Sequence, residues 1–230
     1  MSDQNPSQVA VIQSVRALLN SYSKSKLLTD ITAKVEDVIQ DEEEDFLLRI
    51  SKLDQIMESN PEFEPLAELL FDLLMVHFLA AEEHMEDYFD SPEWNEIENK
   101  TLDRGSEMLN LFLYISEANE TNVEISLDDF LNEFLLVGED EFQEEYRIYE
   151  SLIVNEELLD ADLSEMKKVQ SGIKADTGLQ EYFIPLVLFF QLAEEVLTKT
   201  NLPEGLSAFE TATLESMLAF SSAGIIDDKS

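Results

Sequence analysis

Two histidines are the side chains of this sequence best suited to binding a transition metal. His77 and His84 are seven residues apart, which places them two turns apart on one face of a helix. A carboxylate-bridged di-iron bundle requires Glu-x-x-His on each of two helices, but Leu74 and Ala81 stand three residues before these histidines. We therefore predict that His77 is a core residue, that His84 lies on a solvated face, and that neither binds a metal. The alternative is a zinc site formed by both histidines and Glu83.

Paired carboxylates on helices can hold Mg²⁺ for diphosphate chemistry. The best candidates in the sequence are Asp128-Asp129-x-x-Asn132-Glu133 and Glu83-x-x-Glu86. Such a site also needs Lys or Arg against the phosphates, yet neither residue occurs from 53 to 99 or from 105 to 146. We therefore assign no catalytic residue, no metal ligand and no cofactor. A metal-dependent phosphohydrolase or diphosphate enzyme that uses helix-borne carboxylates remains the alternative function.

Several other catalytic motifs are missing from the sequence. Asp160-x-Asp162-x-Ser164 begins like a calcium loop, but Glu165 occupies the position that requires Gly. The sequence has no glycine-rich phosphate loop and no nucleophile elbow. Since it also has no Cys, disulfides, thiol nucleophiles and Cys-ligated metals are excluded.

The acidic charge is the most unusual property of the chain. Its 51 Asp and Glu against 14 Lys and Arg give a formal net charge of −37, and fourteen of the acids lie between residues 53 and 99. We predict a non-enzymatic interaction protein whose acidic surface binds a cationic protein or peptide. Solubility, a salt-rich habitat and mimicry of nucleic acid are alternative explanations of the charge. Direct nucleic-acid binding is not expected, because contacts to phosphates require clustered Lys and Arg.

Charge alone gives little specificity, so an acidic binding surface also needs apolar or aromatic anchors. Aromatic side chains cluster with acids around one break in the helical pattern, at Ser91-Pro92. We predict that the partner-binding residues are Glu86, Asp87, Tyr88, Phe89, Asp90, Glu93 and Trp94. The competing interpretation is that these rings pack into the core.

Apolar residues at helical spacing run along most of the chain, and capping signals divide them into helices. The predicted capping residues are Ser7, Ser91 with Pro92, Ser126, Asp162, and Ser207 with Glu210. The pattern predicts one helix or two over 31–57, a loop over 61–65, a helix over 66–89 and another over 142–153. A further pattern over 94–112 contains Gly105, which makes a continuous helix there less certain.

These patterns predict an all-α fold, an irregular bundle of about eight to ten helices or two packed four-helix units. An offset of 112 residues aligns Phe71 with Phe183 and Phe78 with Phe190, as an internal duplication would. We therefore expect one helical unit over 1–118 and a second over 119–230. The alternative is a single domain over 7–224. The sequence does not indicate an oligomeric state.

The apolar segments are too short for a membrane protein. The longest uninterrupted apolar run, Tyr182–Phe190, has nine residues, whereas a membrane-spanning helix needs roughly 20. The first residues lack the basic start and apolar stretch of a secretory signal. The expectation is therefore a cytoplasmic protein with no membrane contact.

Overall fold

The computed structural model describes residues 5–22, 28–82, 88–137, 141–142, 156–173, 179–195, 198–199 and 202–223. Within these ranges the fold is all-α, as the sequence predicts, and ten α-helices are present. They are α1 (Pro6–Tyr22), α2 (Leu28–Gln40), α3 (Phe46–Ser59), α4 (Ala67–Glu82), α5 (Pro92–Thr101), α6 (Met108–Thr121), α7 (Leu127–Leu135), α8 (Leu163–Gln170), α9 (Phe183–Ala193) and α10 (Ala208–Ala223).

Short elements connect several of these helices. Turns of 3₁₀ helix occupy Pro61–Leu66, Tyr88–Asp90 and Glu156–Asp160. Leu136–Val137 pairs in antiparallel register with Glu141–Phe142. This ladder has only two residues on each side, so it leaves the helical character of the fold unchanged.

The core joins the two ends of the described chain. The most extensive helix contact is between α1 and α10. The Ser14 and Ser216 hydroxyls lie 2.7 Å apart inside this contact, and the Ser14 hydroxyl also hydrogen-bonds the Ser216 carbonyl at 2.9 Å. About one turn further along α10, the centre of the Phe220 ring lies 4.9 Å from that of Phe112 on α6. Almost every side chain of α9 is buried, which explains why its sequence is apolar on all sides.

Most of the predicted helix starts are confirmed by their hydrogen bonds. The side chains of Ser91, Ser126 and Asp162 each accept from a backbone N–H three residues later. Ser207 accepts from the Glu210 amide, and the Glu210 carboxylate accepts in return from the Ser207 amide. These caps are local in sequence, so the residue pattern was enough to find them.

Four predicted boundaries need correction. Asn5 caps α1 by accepting from the Ser7 amide, and Ser7 is buried in the first turn. The predicted loop over 61–65 is a 3₁₀ helix, because Pro61 fixes a helical φ at its first position. Of the helix predicted over 66–89, the structure describes α4 as far as Glu82, residues 83–87 lie outside the described part, and Tyr88–Asp90 is a 3₁₀ turn. The pattern over 94–112 is broken between Thr101 and Met108, where Gly105 has a φ of +89°.

Two other expectations about elements have mixed outcomes. Residues 31–57 form two helices, α2 and α3, and Asp45 caps the second by accepting from the Leu48 amide. Of the helix predicted over 142–153, Phe142 is instead a strand residue, and the rest lies outside the described residues.

The predicted division at residue 118 stays a prediction. One cluster of buried side chains contains residues from both proposed units, including Val15 and Phe71 as well as Phe183 and Phe220. Both aligned pairs of phenylalanines are buried, as the proposed duplication requires. A further pair at the same offset has unlike environments, since Leu102 is 72% exposed in a turn and Leu214 is buried within α10.

Across the described residues, every helix is too short or too polar to cross a bilayer. The most apolar one, α9, has 11 residues.

Candidate functional site

The N-terminus of α5 fixes the direction of the only tryptophan. The Ser91 hydroxyl accepts from the Trp94 amide at 3.0 Å, and Pro92 occupies the first helical turn. The Asn95 amide donates to the Ser91 carbonyl at 3.1 Å. Because the cap holds the first turn in place, the indole of Trp94 returns toward the preceding turn, Tyr88–Asp90.

The structure brings together five of the seven predicted partner-binding residues. We call Tyr88, Phe89, Asp90, Glu93 and Trp94 the Trp94 surface. The Phe89 and Trp94 rings meet edge to face at 5.0 Å and 88°, and the Tyr88 ring lies about equally far from both, at 6.1 and 6.2 Å. Such edge-to-face contacts are favourable for aromatic quadrupoles. The three rings therefore form one cluster.

The cluster is attached to the core through a chain of rings. Tyr88 contacts Phe78 edge to face at 5.8 Å, and Phe78 stacks on Phe46 at 4.2 Å. Tyr88 and Trp94 are half-buried against the core, whereas Phe89 is 51% exposed. Two rings thus pack partly inward, as the competing interpretation expects, while the third presents apolar area to solvent.

The acidic part of the Trp94 surface is open. Asp90 and Glu93 are exposed, and neither forms an ion pair with any described residue. The nearest described base along α5 is Lys100, which pairs with Glu96 at 2.6 Å. Glu86 and Asp87, the other two predicted residues, lie outside the described part of the chain.

Asp72, a buried carboxyl on α4, was not recognised from the sequence as a special residue. It is 0% exposed, and it accepts from both the amide (2.9 Å) and the hydroxyl of Ser106. Burial raises the pKa of Asp72 from 3.8 to about 8, although the Ser106 hydrogen bonds oppose this shift. Burial also raises the pKa of Tyr182, whose side chain hydrogen-bonds Ser106.

Arg104 completes this polar network beside Asp72. Its guanidinium donates to both carboxylate oxygens of Asp54 at 3.1 Å and to Glu68 at 3.2 Å, and it lies 4.8 Å from the Phe71 ring centre. Glu68 also accepts from the Gly105 amide at 2.6 Å. The network therefore ties the α5–α6 connection to α3 and α4.

This network corrects the view of the fourteen acids as partners for a cation. Asp72 is buried, and Asp54, Glu68 and Glu96 are already paired with bases. The sequence did contain a signal for Asp72, because it is the single charge in an apolar stretch from Leu69 to Val76. The sequence gave no indication that Ser106 is its partner, because the two residues are thirty-four positions apart.

His77 is buried, as the sequence predicts, with 3% exposure. Burial, with the nearby charge of Arg49, lowers its pKa from 6.5 to about 4. Its Nδ1 has no hydrogen-bond partner among the described residues. Arg49 is itself buried and donates to the Val38 and Ile39 carbonyls, which satisfies the C-terminal turn of α2.

The proposed metal-binding motifs have other roles or lie outside the described residues. Asp128 and Asp129 are exposed in the first turn of α7, where carboxylates favour the helix dipole. Asp162 belongs to a capping box with Glu165 rather than to a calcium loop. The described ranges contain no group of three His, Asp or Glu placed to hold a metal ion. His84, Glu83 and Glu86 are not among the described residues.

Comparisons with protein-family models, with curated proteins and with solved structures each give no match to this chain.

Proposed function

We propose that the protein binds a cationic protein or peptide through the Trp94 surface. The observation that carries this proposal is the exposed Phe89 ring, held edge to face against Trp94 beside the exposed Asp90 and Glu93, which form no ion pair with a described residue. A partner with basic and apolar side chains fits both parts of this surface.

The two parts of the surface have different tasks. The negative field attracts a cation over distances comparable with the Debye length, about 8 Å at physiological salt, and so raises the association rate. Phe89 and Trp94 offer apolar area to a leucine-like side chain and ring faces to an ammonium or guanidinium group. These short-range contacts slow dissociation.

Trp94 is the only tryptophan of the chain, so its fluorescence reports on this surface directly. The probe is an amphipathic helical peptide of lysine and leucine, and its control is a lysine–serine peptide of equal length and charge. Stopped-flow mixing should show a saturable change in Trp94 emission with the first peptide and much weaker binding of the second. The association rate should fall steeply as salt is added.

Paired variants separate the two tasks. Phe89→Ser should raise the dissociation rate about tenfold, whereas Leu102→Ser, at a leucine that is 72% exposed elsewhere, should not change it. Asp90→Asn with Glu93→Gln should slow association at low salt more than Asp160→Asn with Glu204→Gln, which removes the same charge from other exposed positions.

Equal effects of the two charge pairs would mean that the net charge, and not this surface, attracts the peptide. Unchanged dissociation in folded Phe89→Ser would show that Phe89 is no anchor. Either result would overturn the proposal.

A further inference from the structure

A cavity lies between α1, α6 and α10, and none of its lining residues belongs to the Trp94 surface. Its volume is about 250 Å³. Its polar lining consists of Ser7, Ser116, Asn119 and Glu120, and the Phe220 ring forms part of its apolar wall.

A second, more open cleft of about 390 Å³ lies between α2 and α3, where Lys34 and Lys52 are already paired with acids. The cavity between α1, α6 and α10 measures about 250 Å³ and is the more enclosed of the two.

The polar groups of this cavity are arranged to accept hydrogen bonds. The Ser7 hydroxyl donates to Glu120 Oε1 at 3.2 Å, which leaves Oε2 of the carboxylate to accept from a ligand. The Asn119 side-chain N–H₂ donates to the Ser221 carbonyl at 3.5 Å, so its Oδ1 can accept as well. The lining contains no Lys, Arg or His.

Ser116 gives a second, independent indication of a ligand. Its Oγ is buried and has no hydrogen-bond partner among the described residues. Leaving a buried hydroxyl unsatisfied costs about 1–3 kcal/mol, and rotation about χ1 toward the cavity would give this hydroxyl a partner in an occupant. Because Glu120 is exposed, a solute can reach the cavity from the surface.

From this lining we infer that the cavity binds a primary alkylammonium group. An ammonium group has three N–H donors and one positive charge, which match the Glu120 carboxylate, the Ser116 hydroxyl and the Asn119 Oδ1. Its methylene stem can lie against Phe220 and the apolar residues of α1. A lysine side chain and a free polyamine share this chemistry. The inference does not depend on the Trp94 surface, because the two share no residue.

The test is a titration of the full chain, followed by ¹H–¹⁵N NMR, with butylammonium chloride at constant ionic strength. Signals of Ser7, Ser116 and Asn119 should shift saturably. Tetramethylammonium has the same charge but no N–H donor, and butanol has no charge, so neither should produce these shifts. Glu120→Gln should weaken binding about tenfold, because it removes a charge-assisted hydrogen bond. Glu117→Gln, at an exposed acid on the same helix, should not.

Ser116→Ala should also weaken butylammonium binding, although alanine suits the helix and preserves the fold. N-acetyl-lysine methylamide and putrescine distinguish the two sources, since tighter binding of one identifies the natural class. Shifts that are absent, that appear equally with tetramethylammonium, or that persist unchanged in folded Glu120→Gln would show that the cavity holds only water.

Discussion

The amide and the hydroxyl of Ser106 both donate to the buried carboxyl of Asp72, thirty-four residues earlier in the chain. This relationship holds the α5–α6 connection on the inner face of α4. Three other ionisable side chains lie near this carboxyl, those of Glu68, Glu107 and Tyr182. None of these three supplies a positive charge that would favour the ionised form of Asp72. Asp72 is therefore expected to retain its proton at neutral pH.

Asp72 should make the protein less stable as the pH rises. Its pKa is raised from 3.8 to about 8 in the folded state. The folded chain therefore holds a proton that the unfolded chain has released, and this contribution to stability is complete below the unfolded pKa and lost as the pH rises through the folded one. The free energy of unfolding should fall by about 1.4 kcal/mol per pH unit within this window. Urea unfolding across the window measures it.

Asp72→Asn tests the assignment, because its amide can replace the protonated carboxyl toward Ser106. The variant should lose this fall in stability and be more stable than the parent above the folded pKa. Asp103→Asn, at an exposed acid of the same connection, should retain it. A pH dependence of Asp72→Asn identical to that of the parent would contradict a buried, protonated Asp72.

His77 should act in the opposite direction. Its pKa is lowered from 6.5 to about 4, so its contribution to stability is present above the unfolded pKa and lost as the pH falls through the folded one. His77→Leu should remove this acid-dependent loss and should raise stability at neutral pH by about 1 kcal/mol, because the unpartnered Nδ1 disappears. Met75→Leu, at a buried neighbour on α4, should leave the acid dependence intact. A destabilised His77→Leu would indicate that the imidazole has a favourable role in the core.

Gly105 should tolerate no side chain. A Cβ at this residue would lie 2.7 Å from Asp72 Oδ1 and 3.3 Å from the Phe71 ring, and the φ of +89° is strained for an L residue. Gly105→Ala should therefore cost about 2–4 kcal/mol of unfolding free energy. Gly205 has a similar φ of +99° but open space around it, so Gly205→Ala should cost only about 1 kcal/mol. Equal losses in the two variants, measured by urea unfolding, would mean that the contact with Asp72 is unimportant.

The sequence predicts the all-α fold and most helix starts because these depend on neighbouring residues. Ser91, Asp162 and Ser207 each find a partner three residues later. It also identifies Tyr88 and Trp94 as members of one aromatic group, since the turn before α5 brings nearby residues together. Local pattern is enough in each of these cases.

Contacts between residues that are far apart in sequence cannot be predicted from the local residue pattern. Asp72 depends on Ser106, and α1 packs on α10 from the other end of the described chain. Ser7 resembles a helix cap, but the fold buries it against α6, where its hydroxyl donates to Glu120. The exposure of Phe89 is likewise set by how the turn sits on Phe78. Each of these contacts and exposures depends on tertiary packing, which the residues adjacent in sequence do not indicate.

The cap at Ser91 should link helix stability to the environment of Trp94. Ser91→Ala removes the acceptor for the Trp94 amide, so it should cost about 1 kcal/mol and shift Trp94 emission to the red as the half-buried indole becomes more solvated. Ser91→Asp keeps an acceptor and should preserve both properties. Ser207→Ala removes the equivalent cap of α10 and should lower stability by a similar amount without changing the emission, because no tryptophan lies there. If Ser91→Ala leaves Trp94 emission unchanged, the cap does not position this ring, and the geometry of the Trp94 surface must come from the Phe78–Tyr88 contact instead.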